Sequence, residues 1–336
     1  MKPLISFAIP CYNSAAYMRH CIENLLTAKN RNIEILIVND GSKDETPQIA
    51  DEYAEKYPGI VKACHQVNKG HGGAVNTGMA NATGTYFKVV DSDDWLDPTV
   101  LQRVLDILEK IDEVDMFIAN YVYDKVGVKH KKVISYERYL PQNEVFGWDK
   151  ARKLPIGTYI LMHSVIYRLD MLKDAKLCLP EHTFYVDNIF VHSPLPYVKR
   201  LYYVNLNLYH YFIGRDDQSV NEQVMIKRLD QQMRVNKILI DTQVAAKDVD
   251  KHCYNYMYSY MTIITMITQL MLMIRGDDEA YKEIDSLWDY IKEADTQLYH
   301  KMRLGLVYNA FHIPTKAGKK IVIGIYHIAQ KIYGFN

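Results

Sequence analysis

Four short apolar runs, each closed by a polar turn and separated from the next by a helix-length segment, restrict the fold of this chain more than any other feature. Residues 4–9, 33–38, 60–65 and 86–90 are of strand length and rich in branched or aromatic side chains. Helix starts are marked between them. Ser14 precedes Ala15-Ala16-Tyr17, and the Thr46-Pro47 and Asp97-Pro98 pairs each set a capping side chain ahead of a proline at a first helical position. Strands that alternate with helices are joined by crossover connections, which leave neighbouring strands running in the same direction. The expectation is an α/β fold, a mostly parallel, doubly wound sheet flanked by helices.

Ligands of such sheets bind beyond the carboxyl ends of the strands, so the chemistry is sought in the loops that follow the four runs. These read Pro10-Cys11-Tyr12-Asn13, Asn39-Asp40-Gly41-Ser42, Asn68-Lys69-Gly70-His71-Gly72-Gly73 and Asp91-Ser92-Asp93-Asp94. Asp91, Asp93 and Asp94 repel one another, and a divalent cation relieves the repulsion. Hard carboxylate oxygens suit Mg2+ or Mn2+, ions that also bridge nucleotide phosphates. Taken alone, the triplet also reads as a solvated acidic turn ahead of the Asp97-Pro98 helix. Asp40 is placed to accept a hydrogen bond from a base N–H or a ribose hydroxyl, or simply to close an Asx-type turn. The glycine-rich loop opens a helix through residues 74–79, so its free N–H groups and positive helix end can face an anion or a ribose. Its glycines serve equally well to let helix and sheet pack closely.

In this order and spacing the four loops, continued through Ala74-Val75-Asn76 and Trp95, closely resemble the family-two glycosyltransferases with a GT-A (Rossmann-like) fold, over about the first hundred residues. The resemblance implies a metal-dependent, inverting enzyme that takes a sugar from a nucleotide donor, UDP-linked, with Mn2+ or Mg2+ as cofactor. It carries Asp40 over to the nucleotide base, Tyr12 to packing against that base, Asp91 to the ribose and, beside Asp93, to the metal. Asn39 stands where the family usually has its first acidic residue. Donor contacts are expected from Pro10, Tyr12, Asp40, Asn68, Lys69, Gly72, Asp91, Ser92 and Asp93. Further on, Phe184-Tyr185-Val186-Asp187-Asn188-Ile189-Phe190 resembles the family's acidic catalytic motif ahead of a helix. It makes Asp187 the general base, although Val186 replaces the first acid, and a helix N-cap is the alternative role for that carboxylate. Arg215, after Tyr209-His210-Tyr211-Phe212, maps over the donor phosphates; a surface ion pair with Asp216 or Asp217 is the other reading. His71, His163, His192 and His210 lack metal-ligand spacing and read as hydrogen-bonded or exposed histidines.

Lys plus Arg and Asp plus Glu balance at 40 each, so no global positive field draws the chain to nucleic acid. Cys11, Cys21, Cys64, Cys178 and Cys253 are scattered, odd in number and without CxxC spacing, which argues against a disulfide framework and a zinc site. Met1 runs almost at once into an apolar strand with no secretory signal pattern, and a cytoplasmic location is expected. From residue 220 the pattern turns to helices over 222–246, 252–275, 278–294 and 316–332. The expected domains are therefore a catalytic domain over 1–219, with a nucleotide-binding half (1–98) and an acceptor-side half (99–219), and a helical region over 220–336. Residues 257–274 approach membrane-span length, but Ser259, Thr262, Thr265, Thr268 and Gln269 favour a packed bundle helix.

In the tail, Ile321, Ile325, Ile328 and Ile332 share one face beside Lys316, Lys319, Lys320 and Lys331. Such a helix fits an anionic membrane surface or ordinary docking on the domain, and the region is also a candidate for homo-oligomer contacts. The membrane reading would place the chain at the inner face of the cell membrane. It makes a lipid-linked saccharide the attractive acceptor, in bacterial-type cell-surface polysaccharide synthesis. Two competing readings stand beside this one. A nucleotidyltransferase would more naturally carry a basic glycine-rich signature in its first loop; a catalytically silent sugar-nucleotide-binding or scaffold protein would not need both Asp93 and Asp187.

Overall fold

The computed structural model describes residues 2–125, 131–155, 158–213, 222–305, Tyr308 and 321–324. The chain divides into two compact units, Met1–Leu154 with Ile160–Ile213 and Pro155–Tyr159 with Gly214–Asn336.

The first unit opens with strands alternating with helices: β1 (Ile5–Cys11), α1 (Met18–Leu26), β2 (Ile33–Asp40), α2 (Thr46–Lys56), β3 (Val61–Gln66), α3 (Gly70–Asn81) and β4 (Tyr86–Val89). β5 (Trp95–Leu96), α4 (Pro98–Lys110), β6 (Met116–Lys125), β7 (Lys132–Ile134), β8 (Val145–Phe146), β9 (Val165–Arg168), α5 (Leu169–Asp174), α6 (Asp187–His192) and β10 (Leu201–Ile213) complete it. All belong to one sheet of order β3-β2-β1-β4-β9-β6-β10-β5, with β7 added to β6 and β8 to β10. The first four strands are parallel, as the alternation requires. The remainder is mixed: β9 lies antiparallel between β4 and β6, β6 and β10 are parallel, and β5 returns antiparallel on β10. The sheet is therefore mixed, because β9 and β5 run against their neighbours.

All seven residues of β1 are buried, and Phe7, Ile9, Ile35 and Ile37 anchor a core shared with α1 and α4. On the α3 side, Gly78 lies so close to β1 that a Cβ there would meet Ala8 Cβ at 2.6 Å. β1 and β4 are paired only as far as Ala8 and Val89, while β1 stays on β2 to Cys11. Pro10 thus sits where β1 has lost one neighbour, a position that tolerates its missing N–H. The strands part there, and the strand order reverses direction along the chain at that same boundary, where parallel sheets place their ligands.

Helix starts differ in detail from expectation. Asp97 caps α4, accepting from Val100 N at 2.9 Å, with Pro98 behind it. Thr46 and Ser14 do not cap: Asp44 accepts from Thr46 N at 3.0 Å and Ala15 N at 3.1 Å, while Ser14 bonds across loops. Asp44 is the better acceptor because its carboxylate reaches two amides at once.

The second unit contributes α7 (Glu222–Lys227), α8 (Leu229–Ala245), α9 (Lys251–Arg275), α10 (Asp278–Ala294) and α11 (Thr296–Arg303). The helix expected over 222–246 breaks at Arg228 into α7 and α8. α9 begins on an Asp250 cap and stops at Gly276 in the left-handed conformation (φ 71°). It is long and apolar enough to cross a membrane, yet mostly buried within the protein. Its polar residues pair with α8: Asn236 Nδ2 donates to Thr265 Oγ1 at 2.9 Å and Gln232 Nε2 to Thr268 Oγ1 at 3.2 Å. That is the chemistry of a bundle helix. Of the tail helix expected over 316–332, only 321–324 are described and are helical, with Ile321 exposed; the other residues lie outside the described ones.

Candidate active site

The four loops meet at the open carboxyl edge of β3, β2, β1 and β4, and side chains tie them together. Asn13, at φ 50°, accepts from Lys43 N at 2.9 Å and donates its own N–H to Ser42 Oγ at 3.0 Å, clipping the first loop to the second. Ser14 and Ser92 hydroxyls lie 2.8 Å apart, joining the first loop to the acidic turn. Tyr12 is exposed.

Asp40 is buried at the end of β2, and its Oδ1 accepts from Gln66 Nε2 at 2.6 Å and Lys69 N at 2.8 Å. Asn68 Nδ2 donates to the Asp40 carbonyl at 2.9 Å. Asn39 forms the Asx turn, accepting from Ser42 N at 3.1 Å. That bond fixes its amide, so Nδ2 donates to His65 Nδ1 (3.0 Å) and His65 Nε2 in turn donates to Asp51 (2.9 Å). An Asn here is matched by a histidine ring nitrogen.

The glycine-rich loop opens α3 four residues earlier than the pattern suggested, at Gly70 (φ 73°). A Cβ on Gly72 would meet Pro180 O at 2.5 Å and Leu179 Cβ at 3.1 Å; one on Gly70 would meet His182 N and Cα at 3.0 Å. His182 N donates to Lys69 O at 2.8 Å, and Lys69 Nζ lies 3.2 Å from Glu181 Oε1. Asn76 accepts from Leu179 N at 2.9 Å and donates to Leu179 O at 2.8 Å. Gly70 and Gly72 pack closely against the 179–182 backbone that leads to Asp187 rather than against the sheet; the close helix–sheet approach is at Gly78.

His71, in the first turn of α3, carries the link that spacing did not reveal. Its Nε2 donates to Asp91 Oδ1 at 2.9 Å. Burial works against the charge of Asp91, but the hydrogen bond from His71 and the fields of His71, His163 and Lys88 hold its carboxyl below the usual range. Asp187 is the first residue of α6 rather than its cap, and that helix has no side-chain cap. Burial pushes the Asp187 carboxyl up to about 6, with His71 opposing and Asp91 adding to the rise. A carboxyl poised there is a competent base near neutral pH.

Beneath the acidic turn, Asp94 is fully buried. Its Oδ2 accepts from Tyr209 Oη at 2.5 Å and its Oδ1 from Phe212 N at 2.8 Å, while Tyr209 Oη accepts from Asp91 N at 3.2 Å. Burial, with Asp93 and Asp91, pushes Asp94 well up. Lys88, also buried, donates to the carbonyls of His163 (2.8 Å) and Val165 (3.2 Å), and burial draws its ammonium down to about 7. Burial likewise lowers His163 to about 4, and its Nδ1 is buried with no hydrogen-bond partner among the described residues. The one sequence signal for this cluster was a lysine inside the apolar run Phe87-Lys88-Val89-Val90.

The turn suits a hard divalent cation. Single ligand atoms of Asp91, Asp94 and His163 fall within 4.8 Å of one another. Both Asp94 oxygens accept protein hydrogen bonds, and Asp91 and Asp93 are half-exposed carboxylates of the same turn. Arg215 lies outside the described residues. Pro10, Tyr12, Asp40, Asn68, Lys69, Gly72, Asp91, Ser92, Asp93 and Asp187 all fall in the first unit.

Residues 6–168 match glycosyl transferase family 2. EpsH of Bacillus subtilis, which bears a glycosyltransferase name, is 32% identical over 230 residues, 63% of this chain and 61% of that protein. The uncharacterized glycosyltransferase RP339 of Rickettsia prowazekii is 36% identical over 171 residues, 51% of this chain and 50% of its own. The chain thus spans between half and two thirds of the length of these relatives. Residues 1–349 of S. aureus TarS, crystallised in complex with UDP-GlcNAc, share the fold at a TM-score of 0.71 and 17% identity, covering 98% of this chain and 92% of that one. The domain matched over residues 6–168, the glycosyltransferase relatives and the GT-A-like fold together support a family 2 glycosyltransferase.

Proposed function

We propose that the chain transfers a sugar from a UDP-sugar to a saccharide acceptor with inversion at the anomeric carbon. The observation that carries the reading is the meeting of Asp91, His71 and Asp187: one hydrogen bond of 2.9 Å joins the first two, and both act electrostatically on the third. Asp187 takes the proton of an acceptor hydroxyl as that oxygen attacks the anomeric carbon. The bond from that carbon to the donor phosphate breaks, and its electron pair leaves with the nucleoside diphosphate. Displacement from the opposite face inverts the centre. Asp91 and Asp93 would hold Mg2+ or Mn2+, which neutralises charge on the departing diphosphate when bound.

Asp40, Tyr12, Pro10, Asn68, Lys69, Gly72 and Ser92 form the donor-binding rim in this reading, with Arg215 over the phosphates. TarS, in complex with UDP-GlcNAc, supports a UDP-linked donor by fold alone. The acceptor is proposed to be a lipid-linked saccharide used in cell-surface polysaccharide synthesis, reached through a basic tail at the inner membrane face.

Release of UDP from a panel of UDP-sugars, with Mn2+ and with chelator, tests the reading. Turnover that is lost with chelator and in Asp93→Ala is expected; turnover indifferent to both would overturn the metal-dependent mechanism. Tight donor binding with no transfer to any acceptor would favour the silent binding protein instead.

A further inference from the structure

We propose that the Tyr211 hydroxyl binds the sugar being transferred, donating a hydrogen bond to one of its hydroxyl groups, and so helps to set which sugars the site accepts. The proposal rests on the glycosyltransferase reading above. Tyr209 and Tyr211 are two residues apart on β10 and share one face of the strand. The ring of His163 sits against both, with centroids 4.7 Å from Tyr209 and 4.3 Å from Tyr211, and Tyr123 adds a further contact to Tyr211 at 5.7 Å. Both tyrosines are therefore held in place by rings, but their hydroxyls are used differently.

The Tyr209 hydroxyl is spent inside the protein, between Asp91 N and Asp94 Oδ2. The Tyr211 hydroxyl has no hydrogen-bond partner among the described residues. It nonetheless lies within the fields of Asp94, Asp91 and Asp187. Geometry puts the half-buried phenol beside the acidic turn: the His163 ring on which it packs has a nitrogen within 4.8 Å of Asp91 and Asp94 oxygens, and the next residue, Phe212, donates its N–H to Asp94. Burial, with Asp94, Asp91 and Asp187, pushes the phenol pKa well up. The group is thus a neutral donor.

The chemistry of the phenol selects its ligand. A neutral phenol brings no positive charge to hold a phosphate, whereas a sugar hydroxyl accepts from the phenol and can donate to a carboxylate at the same time. The turn that carries Asp91 and Asp94 is the donor side of the site in the reading above, and the phenol's place beside it assigns the contact to the donor sugar rather than to the acceptor. A site built to hydrogen-bond a hydroxyl discriminates against sugars that present none in that direction.

The test is Tyr211→Phe, which keeps the ring stack. UDP alone, then UDP-glucose, UDP-galactose and UDP-N-acetylglucosamine, are titrated calorimetrically in Mn2+ against both proteins. The expected result is a roughly 3- to 30-fold weaker affinity for the preferred UDP-sugar, with a matching loss in kcat/KM, while UDP affinity and Tm stay unchanged. Unchanged affinity and turnover for the UDP-sugar would overturn the proposal and leave the glycosyltransferase reading standing. An equal loss for UDP and UDP-sugar would overturn it too, marking Tyr211 as a packing residue. A wild-type protein that binds neither UDP nor any UDP-sugar would overturn the donor reading itself, and the proposal with it.

Discussion

The backbone N–H of Lys69 donates to Asp40 Oδ1 at 2.8 Å, and the same oxygen accepts from Gln66 Nε2. The carboxylate assigned to the nucleotide base is thus also the clip that holds the glycine-rich loop to β2. Asp40→Ala should lower stability by about 1–3 kcal/mol, because it strands partly buried donors, and should abolish the rise in Tm given by UDP. Urea unfolding and thermal shift read the two effects separately. An unchanged urea midpoint would remove the clip from this account.

Asp187 gives a pH prediction with a definite sign. Burial raises its carboxyl from the ordinary 3.8 to about 6, so the ionised base is lost as pH falls through about 6 and kcat/KM should show an acidic limb there. Asp187→Asn should lose the limb and roughly 100- to 10,000-fold in kcat, with donor binding retained. The same shift acts on folding. Between 3.8 and about 6 the folded state keeps a proton that the unfolded chain has released, so stability falls as pH rises across that window. Above it, Asp187→Asn should therefore be more stable than wild type, by on the order of 1–2 kcal/mol after discounting for partial exposure. Equal stabilities at pH 8 would contradict the raised value.

Tyr209 bridges Asp91 N and Asp94 with one hydroxyl. Tyr209→Phe should cost about 1–3 kcal/mol, since it leaves a buried carboxyl oxygen and an amide without their partner. By loosening the acidic turn it should also weaken Mn2+-dependent donor binding. Denaturation and calorimetry in Mn2+ measure these; a variant as stable and as tight-binding as wild type would contradict both.

Gly72→Ala tests the packing of α3 on the 179–182 segment. A methyl there meets the Pro180 carbonyl at 2.5 Å, and backbone cannot yield as a flexible side chain does. The variant should lose about 1–3 kcal/mol and, by displacing the segment ahead of Asp187, lose kcat more than donor affinity. A loss confined to donor affinity would leave Gly72 in the donor-binding rim alone and remove its part in seating the 179–182 segment.

The parallel half of the fold was legible because its signals are local: apolar runs of strand length, and turn residues at each carboxyl end. Asp97-Pro98 marked α4 for the same reason, and the bounds of α10 at 278 and 294 match the pattern. What escaped was long-range. Nothing near Val165 announces that β9 lies antiparallel between β4 and β6, and Arg228 carries no breaker that would separate α7 from α8. In the site, motif order brought out Asp40, Asp91, Asp93 and Asp187. The partners His71, Tyr209, Lys88 and His163 stayed hidden, since a hydrogen bond between residues far apart in the chain leaves no trace in spacing.

Asn76 grips both the N–H and the carbonyl of Leu179, as a neighbouring strand would, and Gly70 and Gly72 seat the residues that follow. The proposed proton acceptor, Asp187, is thereby tied to α3 in the nucleotide-binding half across the hundred or so residues threaded between them. The loops of that intervening stretch, outside α4 and the sheet strands β6 and β9, could then change with the acceptor. The spacing between the anomeric carbon and the group that activates its attacker would be inherited unaltered.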